Sequence, residues 1–401
     1  MGYKLEQYRP TKAVIHIENL THNVRELRTA IGFETFFCPM VKANGYGHGD
    51  VEISLRLADE GVQQLGVGLI EEGILLRQMG LKTELLYFGI FDEKGAQAVV
   101  QNQMIPVLST WEQVRALESV VPSDYPVHLK FDSGMHRLGF ALSDLSRLSN
   151  YFQTSKMKVK GILTHLHTGE DADDLQGSSF EQLKRFQDVE KAFKGLAPVS
   201  HSLNSAGCLN FLNHRGKTLP HGISPVQGVR PGLAVYGVSP VLSPAVKLKP
   251  VMSLRSETVK YHFIKRGEGV SYNITWKAPV DSVVAVIPIG YADGYHRALS
   301  NKAEVLFRGV RVPVVGNVCM DYVMVDITRT LKNEVAESLM PEAVTLFGYD
   351  ELGNQILATE LAKWAGTISW EILTSVGERV PRVVDGKNEA QKKSRTKEVR
   401  P

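Results

Sequence analysis

The chain predicts a (β/α)8 barrel of the TIM type followed by a mainly antiparallel β domain, an α/β architecture that two patterns support. From about residue 36 to residue 237, short apolar runs alternate with amphipathic stretches. That is the rhythm of repeated β-then-α units on a parallel sheet, and their number favours a closed barrel. After about residue 250 the runs are short, Val-rich and separated by Gly, Pro or charged turns, the signature of antiparallel strands. A length of 401 residues suits two domains. The Pro-rich stretch VSPVLSPAVKLKPV marks their boundary. The expected division is residues 12–249 for the barrel, residues 1–11 with 250–385 for the β domain, and residues 386–401 as a disordered basic tail.

Each barrel unit has its own segment. TFFCPMVK precedes the helical pattern VEISLRLADEG, and QLGVGLI precedes EEGILLRQMG. TELLYFGI leads into a helix near 93–101, and MIPVLS into WEQVRALESV. PVHLKFD, KVKGILTHLHT, VSHSLNS and VRPGLAVYG complete the series, with the long helix EQLKRFQDVEKAF between the second and third of these. In the β domain, SLRSETVKYHFI, DSVVAVIPIG, AEVLFRG, VRVPVVG, YVMVDI and AVTLFG read as strands.

The formal net charge is +3, but the segment 386–401 holds six Lys/Arg and two Glu, so the body of the chain is near −1. Nothing in the body suggests a nucleic-acid surface. Cys38, Cys208 and Cys319 are few, odd in number and far apart, which favours buried thiols over disulfides or metal ligands. The first residues contain no apolar core of a signal peptide, and no run reaches the ~18 apolar residues of a membrane span. A cytoplasmic protein is the expectation.

In a barrel, functional groups gather at the C-terminal ends of the strands. Lys42, the Lys130-Phe131-Asp132 run, the Thr164-His165 pair, Asn204 with Ser205, and Arg230-Pro231-Gly232 all fall there. A lysine at a strand end more often snorkels, because its ammonium is costly to bury unless paired, neutral or covalently used. Five polar strand ends together point instead to a ligand at the barrel mouth.

Read in order, VKANGYGHG, HLKFDSGMHRLGF, THLHT, NSAG, VRPGLAVYG, GVSYN, IPIGYADG, GNVCMD and RVPR resemble the alanine racemase family over about residues 10–385. That resemblance implies a pyridoxal phosphate enzyme that interconverts L-alanine and D-alanine, working as a homodimer with shared active sites and supplying D-alanine for peptidoglycan. Lys42 matches the lysine that holds the cofactor as a Schiff base, and Tyr46, Ser205 and the amides of Gly232 and Leu233 match the phosphate contacts. Asn204, beside Ser205, belongs to the same cofactor-binding set. Arg230 matches the group facing the pyridine nitrogen. A guanidinium with an ordinary pKa above ~12 donates a hydrogen bond there without protonating the ring. His165 matches the residue linking Arg230 to the acid–base group.

Racemisation removes a proton from one face of the α-carbon and returns one to the other, so two bases meet the need. Lys42 would be one; Tyr272 matches the second and would arrive from the partner subunit. Arg137 matches the carboxylate-binding group, Met320 a backbone substrate contact from the other subunit, and Tyr291 the entrance wall. Lys130 matches a lysine that is often carbamylated, with an ordinary Lys130–Asp132 ion pair as the alternative. One departure stands out: Glu378 occupies the place before RVPR where many relatives carry a tyrosine, which puts substrate breadth in question. The rival readings are a decarboxylase of similar architecture and a racemase that also accepts serine. A decarboxylase usually pairs the pyridine nitrogen with an acid, whereas this chain offers RPG.

Overall fold

The computed structural model describes residues 8–170, 177–214, 228–331 and 339–385. The expected basic tail at 386–401 lies outside the described residues. The chain divides into two compact units, one of residues 20–249 and one of residues 1–19 with 250–401.

In the first unit, seven parallel strands follow one another around a sheet: Gln64–Val67, Glu84–Tyr87, Met104–Leu108, Tyr125–Lys130, Met157–Leu163, Val199–Leu203 and Gly228–Val229. The eighth place is taken by residues 36–41. This segment receives the Val229 amide at the Phe36 carbonyl (2.9 Å) and sends the Cys38 amide to the Val229 carbonyl (3.0 Å). On its other side the Gly66 amide donates to the Pro39 carbonyl and the Val41 amide to the Gly66 carbonyl, both at 2.8 Å. These bonds join the two edge strands and close the barrel, which leaves no exposed sheet edge.

The strand Met104–Leu108 is buried at all five positions, as a strand covered on both faces requires. Helix Ile17–Ile31 buries Leu20, Val24, Leu27 and Ile31, one stripe at helical spacing. Local chemistry starts several helices. Asp92 accepts the Gly95 amide at 2.8 Å, and Thr110 accepts the Gln113 amide at 3.3 Å; both satisfy first-turn donors.

The second unit is mainly antiparallel. Its larger sheet runs in the order Val310–Pro313, Glu304–Phe307, Ala343–Tyr349, Met252–Glu257, Lys12–Ile15, Arg382–Val384, with Gln355–Ile356 paired to Ala343–Tyr349. A second sheet joins Lys260–Ile264, Ser282–Ile287 and Val323–Asp326. A short hairpin pairs Gly269–Val270 with Trp276–Lys277.

Three features differ from the expectations. The strand Lys12–Ile15, assigned by sequence to the barrel, pairs antiparallel with Met252–Glu257 and parallel with Arg382–Val384. The run SLRSETVKYHFI is two strands in different sheets, broken at Thr258 and Val259. Two helices, Ala358–Ala365 and Ser369–Thr374, follow the last long strand where none was anticipated. All three cysteines are free; Cys38 and Cys208 are buried, and Cys319 is half-buried. Among the described residues no helix is long and apolar enough to cross a membrane.

Candidate active site

Lys42 opens a turn whose next four residues are all left-handed, with φ of 54° at Ala43, 53° at Asn44, 58° at Gly45 and 52° at Tyr46. Residues carrying a Cβ adopt that region reluctantly, so the turn is held from outside. Asn44 Oδ1 accepts the Asp50 amide at 3.1 Å. The His48 ring nitrogen Nδ1 lies 3.1 and 2.9 Å from the Gly45 and Tyr46 carbonyls. Lys42 keeps solvent access, yet the protein around it desolvates the amine and lowers its pKa; the Arg137 charge adds to this and Glu72 opposes it.

Lys130 ends its strand only 8% exposed. Burial, followed by the charges of Arg137 and Arg230, pushes its amine down to about 8. The Lys130–Asp132 ion pair considered from the sequence does not form. Asp132 instead accepts the Gly134 and His136 amides at 2.9 and 3.1 Å and lies 3.6 Å from the His136 ring. Burial works against the Asp132 carboxylate, but those amides hold it below its ordinary pKa.

Arg230 is buried without a carboxylate partner among the described residues. Its Nη1 donates to the His201 carbonyl at 2.7 Å and to His201 Nδ1 at 2.8 Å. Its Nη2 donates to the Thr164 carbonyl at 2.6 Å and to His165 Nδ1 at 3.3 Å. A guanidinium only donates, so both imidazoles accept at Nδ1 and carry their proton on Nε2. His201 Nε2 then donates to His128 Nδ1 at 2.8 Å. Burial and the neighbouring Arg230 keep these histidines neutral: His165 and His201 lie well below their ordinary pKa and His128 falls to about 3. Burial also draws Arg230 to about 10, below the value above 12 taken from the sequence but still protonated at neutral pH. Both terminal nitrogens are committed, and Nε has no acceptor among the described residues.

Asn204, not Ser205, caps helix Ser205–Leu212, with its side chain accepting the Gly207 amide at 2.9 Å. Ser205 is thereby free to face the next strand end, where Oγ accepts the Gly232 amide at 2.9 Å and the Ala234 amide at 3.2 Å. The buried Leu233 has no acceptor for its amide among the described residues. A Cβ at Gly232 would strike the Tyr46 hydroxyl, so only glycine leaves this corner open. Burial raises the Tyr46 phenol to about 12, which keeps it a hydrogen-bond donor. The Ser205 and Tyr46 hydroxyls and the Leu233 amide, beside the Gly232 amide held by Ser205 Oγ, therefore form a neutral donor set suited to an anion.

Arg137 is exposed in the barrel unit, whereas Tyr272, Met320 and Tyr291 lie in the β unit, exposed by 70%, 53% and 43%. Tyr272 sits on the turn of the short hairpin. Ser271 Oγ donates to the Asn317 carbonyl at 2.7 Å, and Asn317 Nδ2 returns a bond to the Tyr272 carbonyl at 2.8 Å. The Tyr291 amide donates to the Cys319 carbonyl at 3.0 Å and the Ala292 amide to the Met320 carbonyl at 3.1 Å. The three residues thus ride on loops tied to one another. A cavity of about 710 Å3 opens beside Tyr272, lined in part by Phe263, Val270, Cys319, Tyr322 and Met324. Glu378 is exposed in the same unit, where its charge acts on Arg382.

Sequence reasoning missed Glu72, His128 and His201. Glu72 reads as an ordinary acidic first-turn residue of its helix. The two histidines are 73 positions apart, so no local motif announces their contact.

Polar and charged groups gathered at the C-terminal mouth of a closed barrel are the arrangement of a barrel enzyme's site. Family comparisons then specify it: the model of the alanine racemase N-terminal domain matches residues 15–240, and that of the C-terminal domain matches residues 251–384. The chain belongs to the alanine racemase family, whose members are isomerases. It is 38% identical over 390 residues to an alanine racemase from Sorangium cellulosum, covering 93% of this chain and 98% of that one. It is also similar to the E. faecalis alanine racemase structure, with a TM-score of 0.83 and 31% identity over 95% of this chain and 100% of the other. The Bartonella henselae alanine racemase structure, which carries covalently bound pyridoxal phosphate, matches with a TM-score of 0.80 and 29% identity over 94% and 99% of the two chains.

Proposed function

We propose that this chain interconverts L-alanine and D-alanine with pyridoxal phosphate as cofactor, using Lys42 and Tyr272 as two bases. The carrying observation is the barrel mouth itself, which holds a lowered Lys42 amine, an Arg230 Nε–H with no acceptor among the described residues, and a neutral donor set. These residues fit the cofactor: Lys42 would hold its carbonyl carbon, Arg230 would donate to its ring nitrogen, and Tyr46, Ser205, Gly232 and Leu233 would hold its phosphate. Asn204 would support that set as the cap of the helix behind Ser205. When bound, pyridoxal phosphate supplies the electron sink that makes the α-proton of an amino acid removable.

The rest is the work of the chain's own side chains. Lys42 takes and returns the proton on one face, serving the D-enantiomer. Tyr272 of a second copy serves the L-enantiomer from the other face. Arg137 holds the substrate carboxylate with a planar fork, and His165, kept neutral beside Arg230, orients that guanidinium. Met320 and Tyr291 of the second copy narrow the entrance, so a methyl side chain fits best. Lys130, with an amine near 8 and Arg137 and Arg230 as the charges that act on it most, suits carbamylation, because the neutral amine is the form that adds CO2. The resulting anion would face Arg137. A homodimer in the cytoplasm, feeding D-alanine to peptidoglycan, completes the reading.

The test is to assay formation of the matching D-amino acid and CO2 release side by side from L-alanine, L-serine and L-lysine. The D-enantiomer without CO2, fastest from alanine, is the expected result. CO2 release would favour a decarboxylase, and lysine turned over as fast as alanine would refute the narrow entrance.

A further inference from the structure

Glu72 lies three residues past the helix boundary at Leu69, in helix Ile70–Gln78. One carboxylate oxygen accepts the Gly68 and Leu69 amides at 2.8 and 3.0 Å. The other crosses to a different element and accepts the Ala43 amide at 2.6 Å. Ala43 directly follows Lys42 and is the first of the four left-handed residues. The Lys42 stem packs over Gly68, where an added Cβ would lie 3.4 Å from Lys42 Cδ and 3.7 Å from Glu72 Oε2. Asn44 and His48 secure the far end of the turn; Glu72 secures the end that bears the lysine.

We propose that Glu72 is a positioning residue, a carboxylate clasp that fixes the turn after Lys42 and so aims its amine. The role rests on Lys42 being the reactive amine, and it goes beyond the family resemblance by assigning a residue outside every motif that carries that resemblance. The clasp must be an acceptor with two oxygens. Amides from two loops point at one spot, and a carboxylate satisfies them together where a single carbonyl cannot. A left-handed turn of residues bearing Cβ persists only while its surroundings over-determine it. Releasing the Ala43 amide lets the backbone at Lys42 relax toward commoner conformations and swings the amine away from its line of transfer.

The experiment compares Glu72→Ala, Glu72→Gln and the neighbouring control Glu71→Ala in the full-length holoenzyme. A second readout is independent of turnover: the pH profile of Lys42 acylation, followed by mass spectrometry on cofactor-free protein. Glu72→Ala should lower kcat in both directions by about 10- to 100-fold, with KM changed less. Its Lys42 acylation profile should move to lower pH, because a carboxylate that favours the ammonium is gone. Glu72→Gln should recover part of kcat through its one carbonyl acceptor, and Glu71→Ala should match wild type. The proposal fails if Glu72→Ala lowers the melting temperature yet leaves kcat and the Lys42 profile unchanged. If wild type proves not to racemise alanine while Glu72→Ala still shifts the Lys42 profile, the clasp stands and the racemase reading falls.

Discussion

The barrel mouth and the Tyr272 hairpin present their functional groups in opposite ways. Lys130, Arg230 and Ser205 are buried; burial lowers the Arg230 pKa, and burial with neighbouring cations lowers that of Lys130. Tyr272, Met320 and Tyr291 stand in solvent in the single chain. Preorganisation costs nothing at the moment of reaction only where groups are already desolvated and fixed. The barrel achieves that within one chain for Lys130, Arg230 and Ser205, while Lys42 keeps solvent access; the hairpin holds its backbone firmly but leaves the phenol in water. The comparison teaches that Lys130, Arg230 and Ser205 are desolvated by their own chain whereas Tyr272 is not, which the proposed sharing of sites between two copies would require.

The largest expected effect comes from removing the exposed member of the pair. Tyr272→Phe deletes one base while leaving the barrel untouched, so full racemisation should slow by about 10²- to 10⁴-fold. Lys42 should still exchange the α-proton of D-alanine for solvent deuterium without inversion, which NMR follows directly. Wild-type racemisation by this variant, or preferential exchange of L-alanine, would break the comparison.

A smaller effect separates burial from chemistry at Lys130. Its folded amine lies near 8 against an ordinary 10.5. Below about pH 8 the folded state must keep this ammonium desolvated. Between about 8 and 10.5 the unfolded chain holds the extra proton, so this group's contribution to stability rises with pH. In CO2-free buffer, Lys130→Met should therefore be more stable relative to wild type at pH 7 than at pH 10.5, by about 3 kcal/mol at most. Denaturant titrations at the two pH values measure this. A difference that does not change with pH would mean that Lys130 is solvated.

Much of this was legible in the chain, for physical reasons that also explain the gaps. Strand and helix periods are local, so the alternation from TFFCPMVK to VRPGLAVYG marked the barrel and placed Lys42 and Arg230 at strand ends. Strand partners are not local. Lys12–Ile15 is a short apolar run like any other, and only its pairing with segments near 252 and 382 shows which sheet it joins. The same holds at the site: Ser205 and Gly232 each sit in a recognisable turn, but that Asn204 caps the helix while Ser205 faces Gly232 depends on where each side chain points. Glu72 and the His128–His201 contact were invisible because a carboxylate in a first helical turn and a histidine in a strand are ordinary in themselves.

The most direct measurement mixes two inactive proteins. A Lys42→Ala subunit keeps its hairpin and a Tyr272→Phe subunit keeps its barrel mouth. If each site takes its lysine from one copy and its tyrosine from the other, a mixed dimer contains one intact site and one doubly damaged site. Random exchange at equal concentrations makes about half of the dimers mixed, so about a quarter of wild-type racemase activity should return. No recovery, with subunit exchange demonstrated by a tag on one variant, would contradict the shared site.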